Sequence, residues 1–206
     1  MAEERKRIPF WTILAAGLVL AGLGYWAFHQ AFEGGRRMAG SDILSVGGPF
    51  DLIDQSNQPL TDKDFRGHFF LITFGYTYSV NPTHTTLTRI GEALDILGPD
   101  GQRIIPLLVT VDPERDTPPQ LAMYVRHFHR RLIGLTGAPE RIAAIAKAYQ
   151  ISYSKAGTAT ADPQDYAMDY TPIIYLMDPE GNPRIPINPS AEPAEMAERI
   201  RKALQG

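Results

Sequence analysis

Two hydroxyl residues, Ser79 and Thr83, stand four apart in the stretch FGYTYSVNPTHTTL, residues 74–87, and His84 follows directly. The stretch begins as an apolar run and ends in a helical pattern, which puts both hydroxyls at a strand-to-helix turn. A serine nucleophile needs a general base to take its proton, and the neighbouring sequence offers Ser79 no evident base. Soft-metal chemistry needs thiolate, thioether or imidazole donors. Near the turn these are His84 and, if the fold brings it close, Met168, two residues before Tyr170. The competing structural role is simpler: His84 as an exposed helix-start residue and Met168 as a core filler.

Three carboxylates, Asp112, Glu114 and Asp116, recur within VDPERDTP. They invite a hard-cation reading, but the prolines favour a rigid loop in which Asp116 or Thr117 caps a helix carrying Pro118 in its first turn. His127 and His129 in YVRHFHRR are spaced i, i+2 and point to different sides, which suits a basic face at a helix C-terminus, near anionic lipid, better than one metal. Asp162, Asp165 and Asp169 read as a solvated loop, with an acidic rim for a basic partner as the alternative.

Composition narrows the chemistry further. The chain has 206 residues and no cysteine, which removes disulfides, thiol catalysis, thiolate metal sites and iron–sulfur clusters. At 44% hydrophobic, 21% charged and a net charge of −3, nothing points to nucleic acid as a partner.

The elements that must position these residues are legible from periodicity. From Ile8 to Phe28 there is no charged residue, with Phe10 and Trp11 near one end and Tyr25, Trp26 and Phe28 at the other. A helix of this length spans about 30 Å, the thickness of a bilayer's hydrocarbon core. Residues 8–28 are therefore expected to be a transmembrane anchor after a short cytoplasmic N-terminus, residues 1–7. Arg5, Lys6 and Arg7 favour placing the bulk of the chain on the extracytoplasmic side. Residues 29–47 read as a glycine-punctuated linker and residues 48–206 as one soluble domain.

Within the domain, two short strands flank the turn at Gln55–Asn57, and residues 68–77 form a strand covered on both faces. A helix over 82–97, a buried strand through RIIPLLVTVDP, a helix over 117–128, a short strand in RLIGLTG and a helix over 139–149 follow. PIIYLMDPEGNPRIPI reads as a hairpin, and a helix closes the chain over about 192–204. A βαβ unit followed by a ββα unit predicts an α/β thioredoxin-like mixed sheet, flanked by helices and extended by an N-terminal β-hairpin.

FGYT and TTL at either end of residues 74–87, VTVDPERDTPPQLAMYV at 109–125, IGLTG at 133–137 and DYTPIIYLMDPEGN at 169–182 together resemble the Sco/SenC family. The resemblance implies a membrane-anchored, thioredoxin-like copper chaperone for the binuclear copper site of cytochrome oxidase, and a chaperone is not an enzyme. It further implies that a Cys-x-x-x-Cys pair and a later histidine hold the copper. Laid on that pattern, Ser79 and Thr83 stand at the cysteine positions and Tyr170 at the histidine position, so all three ligands are replaced. Tyr78 and His84 likewise depart from it. Pro172 holds a place where thioredoxin-like proteins often carry a cis proline, and the sequence leaves its isomer open.

The expectation is a degenerate copper site with no cofactor, in which Tyr170 and Tyr78 fill the former pocket with aromatic surface. Tyr78, Ser79, Thr83, His84, Tyr170 and Pro172 then form a recognition or vestigial surface for oxidase subunits or other copper chaperones. The implied location is a single-pass membrane protein facing the periplasm, or the intermembrane space if mitochondrial. Two alternatives stay open: copper held by His84 and Met168, and a hydroxyl-nucleophile enzyme at Ser79.

Overall fold

The computed structural model describes residues 46–79, 82–157 and 166–205. The expected membrane span lies outside these residues, and among them no helix is long and apolar enough to cross a membrane. Residues 40–206 form one compact unit. Its core begins slightly before the expected boundary, because Val46 is buried and the Gly47 N–H donates to the Ala148 carbonyl.

A short hairpin, β1 (Asp51–Asp54) and β2 (Pro59–Thr61), opens the fold and leads through a 3-10 turn to β3 (Phe69–Gly75). Then come α1 (Pro82–Leu97), β4 (Ile104–Thr110), α2 (Pro118–Val125), β5 (Ile133–Thr136) and α3 (Pro139–Ala148). A second hairpin, β6 (Tyr153–Ala156) and β7 (Ala167–Tyr170), precedes β8 (Ile174–Met177), β9 (Pro183–Ile187) and α4 (Pro193–Gln205). Seven strands make one mixed sheet in the order β2-β1-β5-β4-β3-β8-β9, while among the described residues β6 and β7 pair only with each other. β3, β4 and β5 are parallel; β8 runs antiparallel to β3, and β9 to β8.

Alternation along the central strands divides the core into two layers, since successive side chains leave a strand on opposite faces. Phe70, Ile72 and Phe74 of β3 join Leu107 and Val109 of β4 against Ile142, Ile145 and Tyr149 around α3. Leu71, Ile104 and Leu108 face α1, α2 and α4 through Leu87, Ile90, Leu94, Leu121 and Ile200. The thioredoxin-like α/β expectation is met, with helices on both faces of the sheet.

Two features depart from the sequence reading. α2 stops at Val125 rather than continuing to Phe128, which leaves His127 and His129 in the following loop. The β6–β7 hairpin was not legible, because its strands are short, largely polar and far apart in sequence.

Candidate functional site

The site lies where the parallel strands end and α1 begins. Gly75 closes β3, and a Cβ there would lie 2.5 Å from Thr83 Oγ1, so only glycine lets α1 approach this closely. The turn thereby carries Ser79 and Thr83 inward, both buried. From the other side, β7 delivers Tyr170, whose backbone is fixed by the pairing of Tyr153 with Tyr170 and by the Thr171 N–H donating to the Ser152 carbonyl.

The three positions that the family pattern assigns to metal ligands thus meet. Thr83 Oγ1 lies 2.9 Å from the Tyr170 hydroxyl and accepts the Tyr76 N–H at 3.2 Å. The Ser79 hydroxyl also hydrogen-bonds the phenol and accepts a long bond, 3.5 Å, from the Thr83 N–H. Burial pushes the Tyr170 phenol above its ordinary range, against the opposing pull of Thr83 and Ser79. The cluster therefore consists of neutral hydroxyls at physiological pH.

Tyr170 is packed edge-on against Tyr76, with ring centroids 6.0 Å apart, and the Tyr76 hydroxyl accepts the Met168 N–H at 3.2 Å. Tyr76, rather than Tyr78, supplies the second aromatic ring beside Tyr170. Tyr78 is 67% exposed, which corrects the expectation that it fills the pocket. Its ring instead lies over the Arg115 guanidinium, 4.8 Å from ring centroid to Cζ.

Asp116 has a role that the helix-cap expectation missed. Thr117 is the N-cap residue of α2, but its side chain makes no capping bond. The fully buried Asp116 carboxylate accepts from the Thr77 N–H at 3.0 Å, the Thr77 hydroxyl at 2.6 Å and the Thr110 hydroxyl at 2.6 Å. It ties the FGYT turn to the end of β4. Burial raises its pKa, partly offset by these donors, with Asp112 adding to the rise.

The other carboxylates of the loop are also engaged. Asp112 pairs with Arg115 and accepts from the Tyr166 hydroxyl at 2.8 Å, and Glu114 pairs with Lys155 at 2.7 Å. Burial, with the Asp112 hydrogen bond second, pushes the Tyr166 phenol up to about 12. Arg115 sits 3.6 Å from the Tyr166 ring centroid, so one cation links the turn, the loop and β7's approach. No cluster of three or more His, Cys, Asp or Glu suited to a metal occurs among the described residues.

The remaining candidates separate. His84 is exposed and packs edge-on against Phe128 at 4.9 Å, on the α1–α2 side. Met168 is 7% exposed and belongs to the core layer on the α3 side. The structure does not bring this pair together. Among the described residues, neither a histidine nor a carboxylate hydrogen-bonds Ser79. Asp169 is exposed in β7, and Asp162 and Asp165 lie outside the described residues. Pro172 is exposed and follows a trans peptide bond, since there is no cis bond among the described residues. It borders an open groove of about 420 Å³ formed with Pro82, Thr85, Arg89, Asn188 and Pro189.

The chemistry of this donor set does not fit copper. Copper(I) prefers thiolate, thioether or imidazole, whereas three neutral hydroxyls are hard donors already engaged with one another.

Comparison with known proteins connects this geometry to a family. Residues 39–205 match the SCO1/SenC family. A SCO2-like protein of Rickettsia prowazekii is 36% identical over 68% of this chain and 68% of its own length. The mitochondrial SCO2 homologue of Bos taurus is 38% identical over 82% of this chain and 66% of its own. For the mitochondrial SCO1 homologue 1 of Arabidopsis thaliana the values are 37%, 67% and 41%. The chain therefore spans between about two fifths and two thirds of these mitochondrial relatives. The structure of Bradyrhizobium japonicum ScoI with copper bound superposes with a TM-score of 0.70 at 38% identity, covering 77% of this chain and 99% of that one. Yeast Sco1 with copper bound gives 0.73 at 30%, covering 79% and 90%. With most of its length matched in sequence and in fold, the chain belongs to the SCO1/SenC family.

Proposed function

We propose that this chain is a membrane-anchored accessory protein of cytochrome c oxidase assembly that works through protein contacts and does not carry copper. Bradyrhizobium japonicum ScoI, Arabidopsis thaliana ScoI and yeast Sco1 each have a structure with copper bound, and the family's work on the oxidase copper site is the frame for this chain. The observation that carries the reading is the Ser79–Thr83–Tyr170 cluster, whose hydroxyls satisfy one another where three metal donors are needed. What persists is the turn surface, with Tyr78 exposed on it and the groove beside Pro172 next to it. A chaperone that keeps this surface can still engage an apo-oxidase subunit or another copper chaperone. Residues 8–28 would anchor it, with the domain on the periplasmic or intermembrane-space side.

Two measurements test the reading. Affinity capture from membranes with the full chain should recover oxidase subunits or their copper chaperones, and recovery of neither removes the accessory role. In a copper(I) competition titration the chain should bind no better than its His84→Ala and Met168→Leu variants. A site lost on either substitution would establish the rearranged copper centre instead. The triple variant Ser79→Cys, Thr83→Cys, Tyr170→His supplies the positive control, because the three positions already converge.

A further inference from the structure

A groove of about 420 Å³ opens between the first turns of α1 and the loop that joins β9 to α4. Its apolar walls are Pro82, Pro172 and Pro189. It borders the strand-to-helix turn, but Ser79, Thr83 and Tyr170 do not line it. Proline rings have little conformational freedom to lose, so a ligand covers such walls at low entropic cost.

The polar groups in the groove are mostly donors. Thr86 is 6% exposed, and its hydroxyl makes no hydrogen bond. A helical threonine commonly turns its hydroxyl back to the carbonyl four residues earlier, as Thr88 does to His84 at 3.0 Å. The Thr86 hydroxyl does not, and it is not sealed in the core either; the groove is where it emerges. A hydroxyl this deeply placed and without a partner is costly, and an acceptor in the groove removes that cost. Asn188 gives its amide oxygen to the Ser190 N–H at 2.9 Å, which leaves its amide N–H groups to donate.

Arg89 supplies the charge. It reaches from α1 to the loop, donates to the Pro189 carbonyl at 3.2 Å and meets Glu192 at 3.5 Å. The Glu192 side chain is 77% exposed, so this long, solvated pair contributes little and opens readily. Glu92 and Glu195 are exposed on α1 and α4, and neither lines the groove. The first turn of α1 holds no acidic residue, so the partial positive charge of its N-terminus adds to that of Arg89.

We infer that this groove binds an extended acidic segment of a protein partner. A side-chain carboxylate of the segment displaces Glu192 from Arg89, and a main-chain carbonyl accepts from Thr86. One arginine with a weak competitor matches a single carboxylate, and the proline walls give the flanking residues of a peptide contacts that a free anion cannot make. The inference rests on the protein-contact reading and specifies the chemistry of the partner's segment.

The test titrates the full chain, in detergent micelles, into fluorescein-labelled Gly-Pro-Ala-Glu-Ala-Pro-Gly and its glutamine counterpart, read by fluorescence anisotropy. The glutamate peptide should bind about ten-fold more tightly and lose that margin at high salt. Arg89→Gln should abolish the difference between the peptides. Thr86→Val keeps the shape and should weaken both about five-fold. Glu192→Gln removes the competitor and should tighten the glutamate peptide about two- to five-fold. If Arg89→Gln fails to fold, the other two variants decide. Equal binding of the two peptides, or a Glu192→Gln variant that binds the glutamate peptide no better than the parent, overturns the groove. Displacement of the glutamate peptide by an equal concentration of acetate overturns it in favour of a simple anion site. Affinity capture from membranes separates the inference from the accessory reading. Oxidase subunits or their copper chaperones recovered equally by the parent and by Arg89→Gln keep the accessory role and remove the groove. The expected peptide pattern without such recovery by the parent keeps the groove and removes the accessory role.

Discussion

If Ser79, Thr83 and Tyr170 form one hydrogen-bonded unit, removing its members must produce unequal and coupled losses. Tyr170→Phe deletes the phenolic hydroxyl and leaves the ring packed against Tyr76. Thr83 Oγ1 then still accepts the Tyr76 N–H, and Ser79 still accepts the Thr83 N–H. The loss is the phenol's hydrogen bonds to Thr83 and Ser79, about 1–2 kcal/mol. Thr83→Val keeps the shape but removes the acceptor for a buried backbone N–H as well as the bond to the phenol. An unsatisfied buried donor costs about 1–3 kcal/mol, so this variant should lose about 2–4 kcal/mol, more than Tyr170→Phe does.

Urea unfolding of residues 40–206, which form a compact unit, measures both. With an m-value of about 2 kcal/mol/M, each kcal/mol moves the midpoint by about 0.5 M. The double variant should be about 1 kcal/mol more stable than the sum of the single losses, because the shared bond is counted only once. Additive losses, or a Thr83→Val variant no less stable than Tyr170→Phe, would refute the shared cluster. The turn would then be held by packing alone.

Two further outcomes follow from the same end of the sheet. Gly75→Ala places a methyl within 2.5 Å of Thr83 Oγ1, so overpacking should lower stability by about 1–3 kcal/mol in the same urea assay, and the cost of Gly75→Ala should be smaller when it is measured in a Thr83→Ala background. Asp116 has its pKa raised by burial above 3.8, so its ionisation opposes folding: the contribution is fully favourable below 3.8 and is lost as pH rises through the raised folded value. Against Asp116→Asn, the parent should therefore lose stability progressively as pH is raised from about 4, and parallel stability–pH curves for the two proteins would contradict this assignment.

The sheet was legible because its strands carry their own signals. HFFLITFG and RIIPLLVT are runs that only a doubly covered strand accommodates, and α1 is bounded by Pro82 at its start and Gly98 past its end, so its limits follow from local chemistry. The convergence of Ser79, Thr83 and Tyr170 was legible for another reason. Residues 79 and 170 are far apart in sequence, and periodicity says nothing about their distance. The family pattern supplied that link, and the 2.9 Å contact between Thr83 and Tyr170 agrees with it.

What escaped the sequence shares one physical origin: a polar group's partner is chosen by tertiary approach. Asp116 precedes a proline-led helix and has the side chain of a good cap, so local rules assign it to α2. The fold instead buries it between Thr77 and Thr110, where three donors compensate its desolvation. Tyr78 beside the Ser79–Thr83 turn reads as pocket filling, yet the neighbouring Arg115 cation draws its ring to the surface. The β6–β7 hairpin depends on polar strands whose pairing no hydrophobic alternation announces. These misses fall around the Ser79–Thr83–Tyr170 cluster. There the local order comes from hydroxyl, carboxylate and guanidinium contacts that are individually weak and only jointly specific.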